Sequence, residues 1–263
     1  MGKSMREGIH KSSKFIEIHF TTYLVALGYI LTGHYLNLMI FFSLLLIHEL
    51  GHCLAAFLCH VFVKKIIFYP YGGKTVLEDY LNRNIHQEFF IASSGVIIQF
   101  AYYLLICFLH QKYFIRTYTM ELFTLYNREI IFFNLLPIYP LDGGKIISLL
   151  FQHFMPYQKA NSLSIITSFL TIIVFFLLPL YHHNYSTIII FSILLYYLMK
   201  FYQNRRYLYQ KFLLERYLYP EKNLRLKKIT KITRMYRNKI HLIKKNKTYY
   251  PEKEYLSWYF KPK

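Results

Sequence analysis

The sequence predicts an all-α polytopic membrane protein: about six transmembrane helices, a short β-hairpin or re-entrant loop after the second, and a small basic cytoplasmic tail. Three observations carry this reading. Of 263 residues, 55% are hydrophobic and 20% aromatic, above the about 45–50% apolar content of soluble domains. The apolar residues gather in blocks, several of them near the about 20 residues that a membrane-crossing helix needs. The formal charge of +19 is unevenly spread: residues 200–263 hold nineteen Lys/Arg against four Asp/Glu, so the preceding part is close to neutral.

In chain order, a basic start (Lys3, Arg6, Lys11, Lys14) leads into an apolar block that no small-residue cleavage site closes, so Ile16–Leu31 reads as a retained first span. His19, beside Glu17, reads as half of an interfacial pair or as a group near the mouth of a site. Leu36–Val63 is the second span. The polar stretch 64–84 carries an insert, Ile66–Val76, whose β-prone halves flank Pro70 and Gly72, as a hairpin does; its edge suits an extended peptide added as a strand. Phe89–Leu109 is the third span. Its small-residue patch Ala92-Ser93-Ser94-Gly95 permits close helix packing or leaves room for a substrate. Glu121–Leu150 holds the fourth. Pro137, Pro140, Gly143 and Gly144 must break that helix, and irregular backbone at membrane depth is tolerated only where protein buries it or it lines a wet cavity. Leu163–Leu180 and Tyr185–Met199 are the fifth and sixth spans, joined by the turn Tyr181–Asn184.

Basic residues mark the start, the 64–83 loop, Lys145, Lys159 and the tail, whereas the turns at 32–35 and 181–186 have none. Both termini are therefore expected in the cytoplasm, although Lys112, Arg116 and Arg128 depart from the pattern. The domain division expected is 1–203 for the membrane part and 204–263 for the tail. Within the tail, Phe212–Leu218 reads as an amphipathic helix, Ile240–Ile243 as a strand and Glu254–Phe260 as a last helix or strand. Such charge suits anionic lipid, at about 1 kcal/mol per basic residue; no nucleic-acid motif accompanies it. Cys53, Cys59 and Cys107 form no disulfide framework.

The second span contains His48-Glu49-Leu50-Gly51-His52. An ionisable group at mid-bilayer costs about 2.5–3.5 kcal/mol, so three in five positions are not filler. On a helix His48 and His52 lie one turn apart on one face, where two imidazoles reach one metal ion, and Glu49 stands beside them as a base. Gly51 allows a close backbone approach. Hydrolytic zinc takes three protein ligands. Asp142 is the candidate third, as the carboxylate within the broken apolar segment, and Asn134 is a candidate hydrogen-bond donor to substrate. The chemistry indicated is hydrolysis of a peptide bond in a membrane-associated protein. The competing classes are a non-catalytic membrane adaptor, which would lack a ligand or the base, and a metal transporter, which would need polar groups on several spans.

The pairing of His48-Glu49-Leu50-Gly51-His52 with Asn134-Leu135-Leu136-Pro137 … Asp142-Gly143 resembles the site-2 protease family of intramembrane zinc metalloproteases. Leu135–Lys145, the Pro70–Thr75 turn and Phe212–Tyr217 resemble its sporulation branch in particular, and the likeness covers about residues 15–225. The resemblance implies six spans and a site near the cytoplasmic face, with His48, His52 and Asp142 as Zn2+ ligands and Glu49 as the base. It implies cleavage of the pro-sequence of a sporulation sigma factor, sigma-K, in the mother-cell membrane around the forespore, under regulation by small membrane proteins. Relatives often carry Gly-Pro in the third span, where this chain has Gly95-Val96. The sporulation relatives end in a nucleotide-sensing CBS domain; the short basic tail here is at most a degenerate remnant of one.

Overall fold

The computed structural model describes residues 15–70, 72–78, 82–177, 185–220, 224–245 and 248–261. The basic start at 3–14 and the turn at 181–184 lie outside the described residues. The chain packs as two compact units.

The first unit takes residues up to 78 and 94–130. It contains β1 (Ile16–Ile18), α1 (Phe20–Leu31), α2 (Tyr35–Leu58), β2 (Val63–Tyr69) and β3 (Gly72–Leu77), with most of α3 (Ile85–Gln111) and α4 (Thr117–Leu135). β2 lies between a parallel β1 and an antiparallel β3. The first apolar block is therefore not helical throughout. Ile16 and Ile18 are β-branched and alternate about Glu17, which suits a strand, and β2 offers a partner: the Ile66 amide donates to the Phe15 carbonyl at 2.8 Å and the His19 amide to that of Phe68 at 2.9 Å. Glu17 pairs with Lys65 on β2 at 2.7 Å rather than with His19, whose Nδ1 instead accepts from the Thr21 amide at the start of α1. With 12 residues, α1 is about 18 Å long, short of a hydrocarbon core of about 30 Å. The second span also ends sooner than expected. Cys59 caps α2 and His60, at φ 55°, turns the chain into β2.

One side of α2 lays Leu45 against Ile66 and Phe68 of β2, and another packs Ile40 and Leu44 against Phe123 and Ile130 of α4. The sheet thus sits directly on the helix that bears the polar set. Ile97, Phe100, Leu104, Leu105 and Phe108 of α3 remain exposed, an apolar surface of the kind that meets lipid.

The second unit takes 82–93 and 131–261. After α4 the chain runs irregularly from Leu136 to Leu141, then forms α5 (Asp142–Phe154), α6 (Tyr157–Leu177) and α7 (Tyr185–Leu218). The prolines break the helix where expected, and the broken backbone is buried by protein: Leu136 and Ile138 pack with Ile172, Leu194 and Leu198. The freed groups find partners, the Leu141 amide on the Ile138 carbonyl at 2.8 Å and the Tyr139 amide on Ser168 Oγ at 3.1 Å. A Cβ at Gly143 would strike the Leu135 carbonyl, and one at Gly144 the Ile138 carbonyl. The two glycines let α5 begin hard against the end of α4.

Three described helices, α2, α3 and α6, are long and apolar enough to cross a membrane. α4 carries Glu121, Arg128 and Glu129, and α5 has 13 residues. α7 continues unbroken from residue 185 through Phe212–Leu218, so that stretch is the end of a long helix rather than a separate one.

Beyond α7 come β4 (Arg225–Ile229), β5 (Lys239–Lys245), β6 (Thr248–Pro251) and α8 (Glu252–Phe260). β4 runs parallel and β6 antiparallel to the central β5. Phe212, Leu213, Ile229, Met235, Ile243 and Leu256 form their core with Tyr157 of α6, stacked on Phe212 at 4.3 Å. Two buried arginines brace this region. Arg216 pairs with Glu252 at 2.6 Å and reaches the Lys239 carbonyl. Arg237 forks onto both oxygens of Glu88 in α3, the Gln152 side chain of α5 and the Arg83 carbonyl.

Candidate metal centre

Midway along α2, His48, Glu49 and His52 are all buried. The one-turn spacing does what it should: one ligand atom from each of the three lies within 4.8 Å of the others. The two imidazole Nε2 atoms face each other 3.2 Å apart, with the rings nearly perpendicular. Two nitrogens bound at about 2.0–2.1 Å to a tetrahedral ion are separated by about 3.3 Å, so the pair is already set at ligand spacing.

The surroundings serve that spacing. His48 Nδ1 lies 2.9 Å from Gln99 Oε1, an acceptor that suits the tautomer in which Nδ1 holds the proton and Nε2 the lone pair. A Cβ at Gly95 would come to 2.5 Å from His52 Nε2 and 2.8 Å from His48 Nε2, so only glycine leaves the imidazoles their space. Gly51, as its place in the motif suggests, lets α3 approach: a Cβ there would meet the Ser94 carbonyl at 2.8 Å. Donors of this type, two imidazoles and a carboxylate buried together, suit zinc.

Glu49 is held from the other side by β3. Thr75 Oγ1 donates to Glu49 Oε2 at 2.7 Å, and a Cβ at Gly73 would overlap the Glu49 side chain. Thr75 and Gly73 thus flank the carboxylate beside the histidines.

Asp142 belongs to the second unit. It is buried as the first residue of α5, where the helix dipole favours a carboxylate, and Lys145 Nζ donates to it at 2.8 Å. Asn134 lies on the last turn of α4. His19 is occupied at the start of α1. The sequence does not single out Gln99 or Asn127, and Gly73 and Thr75 enter it only as part of the Pro70–Thr75 turn. The available signal for Gln99 was an uncharged polar residue inside an apolar span, one turn after Gly95 on the same face; Thr75 had only its place in that turn.

Residues 36–117 and 111–178 match Peptidase family M50. Stage IV sporulation protein FB of Bacillus subtilis (strain 168) is 36% identical over 237 residues, 86% of this chain and 78% of that protein. The chain belongs to Peptidase family M50. A zinc metalloprotease of Methanocaldococcus jannaschii is 27% identical over 163 residues, 57% of this chain and 46% of that one. Among solved structures, the site-2 protease from the same organism superimposes with a TM-score of 0.56 at 22% identity, covering 70% of this chain and 89% of that one; this is a likeness of fold. As an M50 member the chain is a membrane metalloprotease of the site-2 protease type, and His48, Glu49 and His52 are its candidate metal-binding group.

Proposed function

We propose that this M50 protease holds Zn2+ with His48, His52 and Asp142 and cleaves a peptide bond of a membrane-associated substrate near the cytoplasmic face. The observation that carries the reading is the buried cluster of two imidazoles and a carboxylate within one membrane-length helix. Zinc bound there supplies a Lewis acid that polarises the scissile carbonyl and makes water acidic enough to attack near neutral pH. Glu49 takes the proton of the attacking water and returns it to the leaving amide nitrogen. Thr75 keeps the Glu49 carboxylate in place for both transfers. Asn134 hydrogen-bonds the substrate backbone or its developing oxyanion. The outer edge of β3 takes the substrate as an extended strand, because a helical segment keeps its carbonyls covered. The reading takes six spans with both termini in the cytoplasm.

The substrate proposed is the pro-sequence of a sporulation sigma factor, pro-sigma-K, cleaved in the mother-cell membrane around the forespore. Support comes from the 36% identity to stage IV sporulation protein FB and from the sequence pattern at Leu135–Lys145. Co-expression of the chain with pro-sigma-K tests it. The wild type should shorten the substrate, and Glu49→Gln, keeping its metal, should lower the rate by about 100-fold or more. An uncut substrate with an active enzyme on another membrane client would reject the sigma-factor assignment; equal cleavage by Glu49→Gln would reject the mechanism.

A further inference from the structure

The third apolar helix contributes a group to the metal centre that neither the H-E-x-x-H pattern nor the family match assigns. Gln99 is fully buried in α3, and its carboxamide has two definite partners. Oε1 accepts from His48 Nδ1 at 2.9 Å. Nε2 donates to Asn127 Oδ1 of α4 at 3.0 Å and faces the Asn127 backbone carbonyl at 3.5 Å. A side-chain amide can be turned over without changing its shape, but a backbone carbonyl is an acceptor in any assignment. The nitrogen of Gln99 therefore belongs at Asn127 and its oxygen at His48. An oxygen there requires hydrogen on Nδ1, and with it a bare Nε2 directed at the centre.

We propose that Gln99 is a positioning residue for the metal: its carboxamide, oriented by Asn127, locks His48 in the tautomer and ring rotation that present Nε2 to the ion. The proposal rests on the zinc reading above. It also gives a physical reason for a neutral partner. Ligating histidines are often backed by carboxylates, but Glu49 already places one buried acid beside the pair, and another buried charge in a bilayer-length segment would have to be compensated. An amide orients the ring with no added charge.

The test uses the purified full-length chain in detergent, stripped of metal, with zinc affinity read by competition against a chromophoric chelator and site geometry by the visible spectrum of the cobalt-substituted protein. Gln99→Met keeps length and removes the acceptor; it should weaken zinc binding by about 10–100-fold and shift the cobalt bands. Gln99→Glu restores an oxygen at the same place and should bind zinc more tightly than Gln99→Met. Asn127→Ala leaves Gln99 but releases its far end, and should give a smaller loss with the same direction of spectral shift. Wild-type affinity and spectrum in both Gln99→Met and Asn127→Ala would overturn the proposal, as would a Gln99→Glu protein as weak as Gln99→Met. If Gln99→Met does not fold, Asn127→Ala and Gln99→Glu decide by the same readings. Failure of the wild type itself to bind zinc would strike the zinc reading, a separate outcome from wild-type binding that is indifferent to Gln99.

Discussion

At the residue scale the centre depends on space as much as on donors. Gly95 is the clearest case, since the smallest possible side chain would sit on the Nε2 atoms of both His48 and His52. Gly95→Ala should force the imidazoles off their 3.2 Å spacing, and a displacement near 1 Å costs about 100-fold in rate. Cleavage assays with matched protein amounts should show that loss while α-helical content is unchanged; near-normal activity would mean that the rings have room to spare. Thr75→Val removes the hydroxyl from Glu49 and should lower the turnover rate with zinc content intact. The proposed ligands and base were conspicuous in the sequence because ionisable residues in an apolar run carry a large energetic signal. Gln99 and Thr75 were not, because neutral polar residues cost little and their value lies in partners that the sequence does not place nearby.

Among elements, the joint between α4 and α5 has the tightest requirements. The prolines announce the break, because proline cannot continue a helix. Gly143 and Gly144 then let α5 begin hard against the Leu135 and Ile138 carbonyls. Gly143→Ala overpacks this contact and should destabilise the protein by about 1–3 kcal/mol, measurable as a lower midpoint in thermal unfolding in detergent; an unchanged midpoint would show the joint to be slack. β1 was not readable. Ile16-Glu17-Ile18 is three residues long and runs straight into an apolar helix, so periodicity assigns it to the span, and only pairing with β2 makes it a strand. The end of α2 and the length of α7 were not legible for a related reason: hydrophobicity runs past Leu58, and it does not mark how far a helix continues from an apolar run into a polar one at residue 200.

Across the whole molecule, charge distribution and apolar blocks announced a membrane protein with a basic tail, and the tail's strand and last helix fell near their expected places. Its attachment did not. Arg237 reaches Glu88, Gln152 and the Arg83 carbonyl, and nothing in a charge count pairs residues so far apart in the chain. The tail also carries an acid-sensitive bond. Burial pushes the Glu252 carboxyl up, but hydrogen bonds from His241 and Arg216 together outweigh it and hold the carboxyl below the usual value. A carboxyl depressed on folding contributes stability above its unfolded value, about 4.3, and loses it as pH falls further through the folded value. Protease resistance of the tail in the full chain should therefore drop below about pH 4. Glu252→Gln should weaken the tail already at pH 7 and flatten that pH dependence; an unaltered profile would show that the pair contributes nothing.

The central claim is that one zinc ion is held by His48, His52 and Asp142. X-ray absorption at the zinc edge, recorded on Glu49→Gln loaded with one equivalent of metal and on the same protein also carrying Asp142→Asn, tests it most directly. The account predicts two imidazole nitrogens and a carboxylate oxygen at about 2.0–2.2 Å in the first and loss of that oxygen, with weaker binding, in the second. Identical spectra and equal affinity in the two proteins would contradict it.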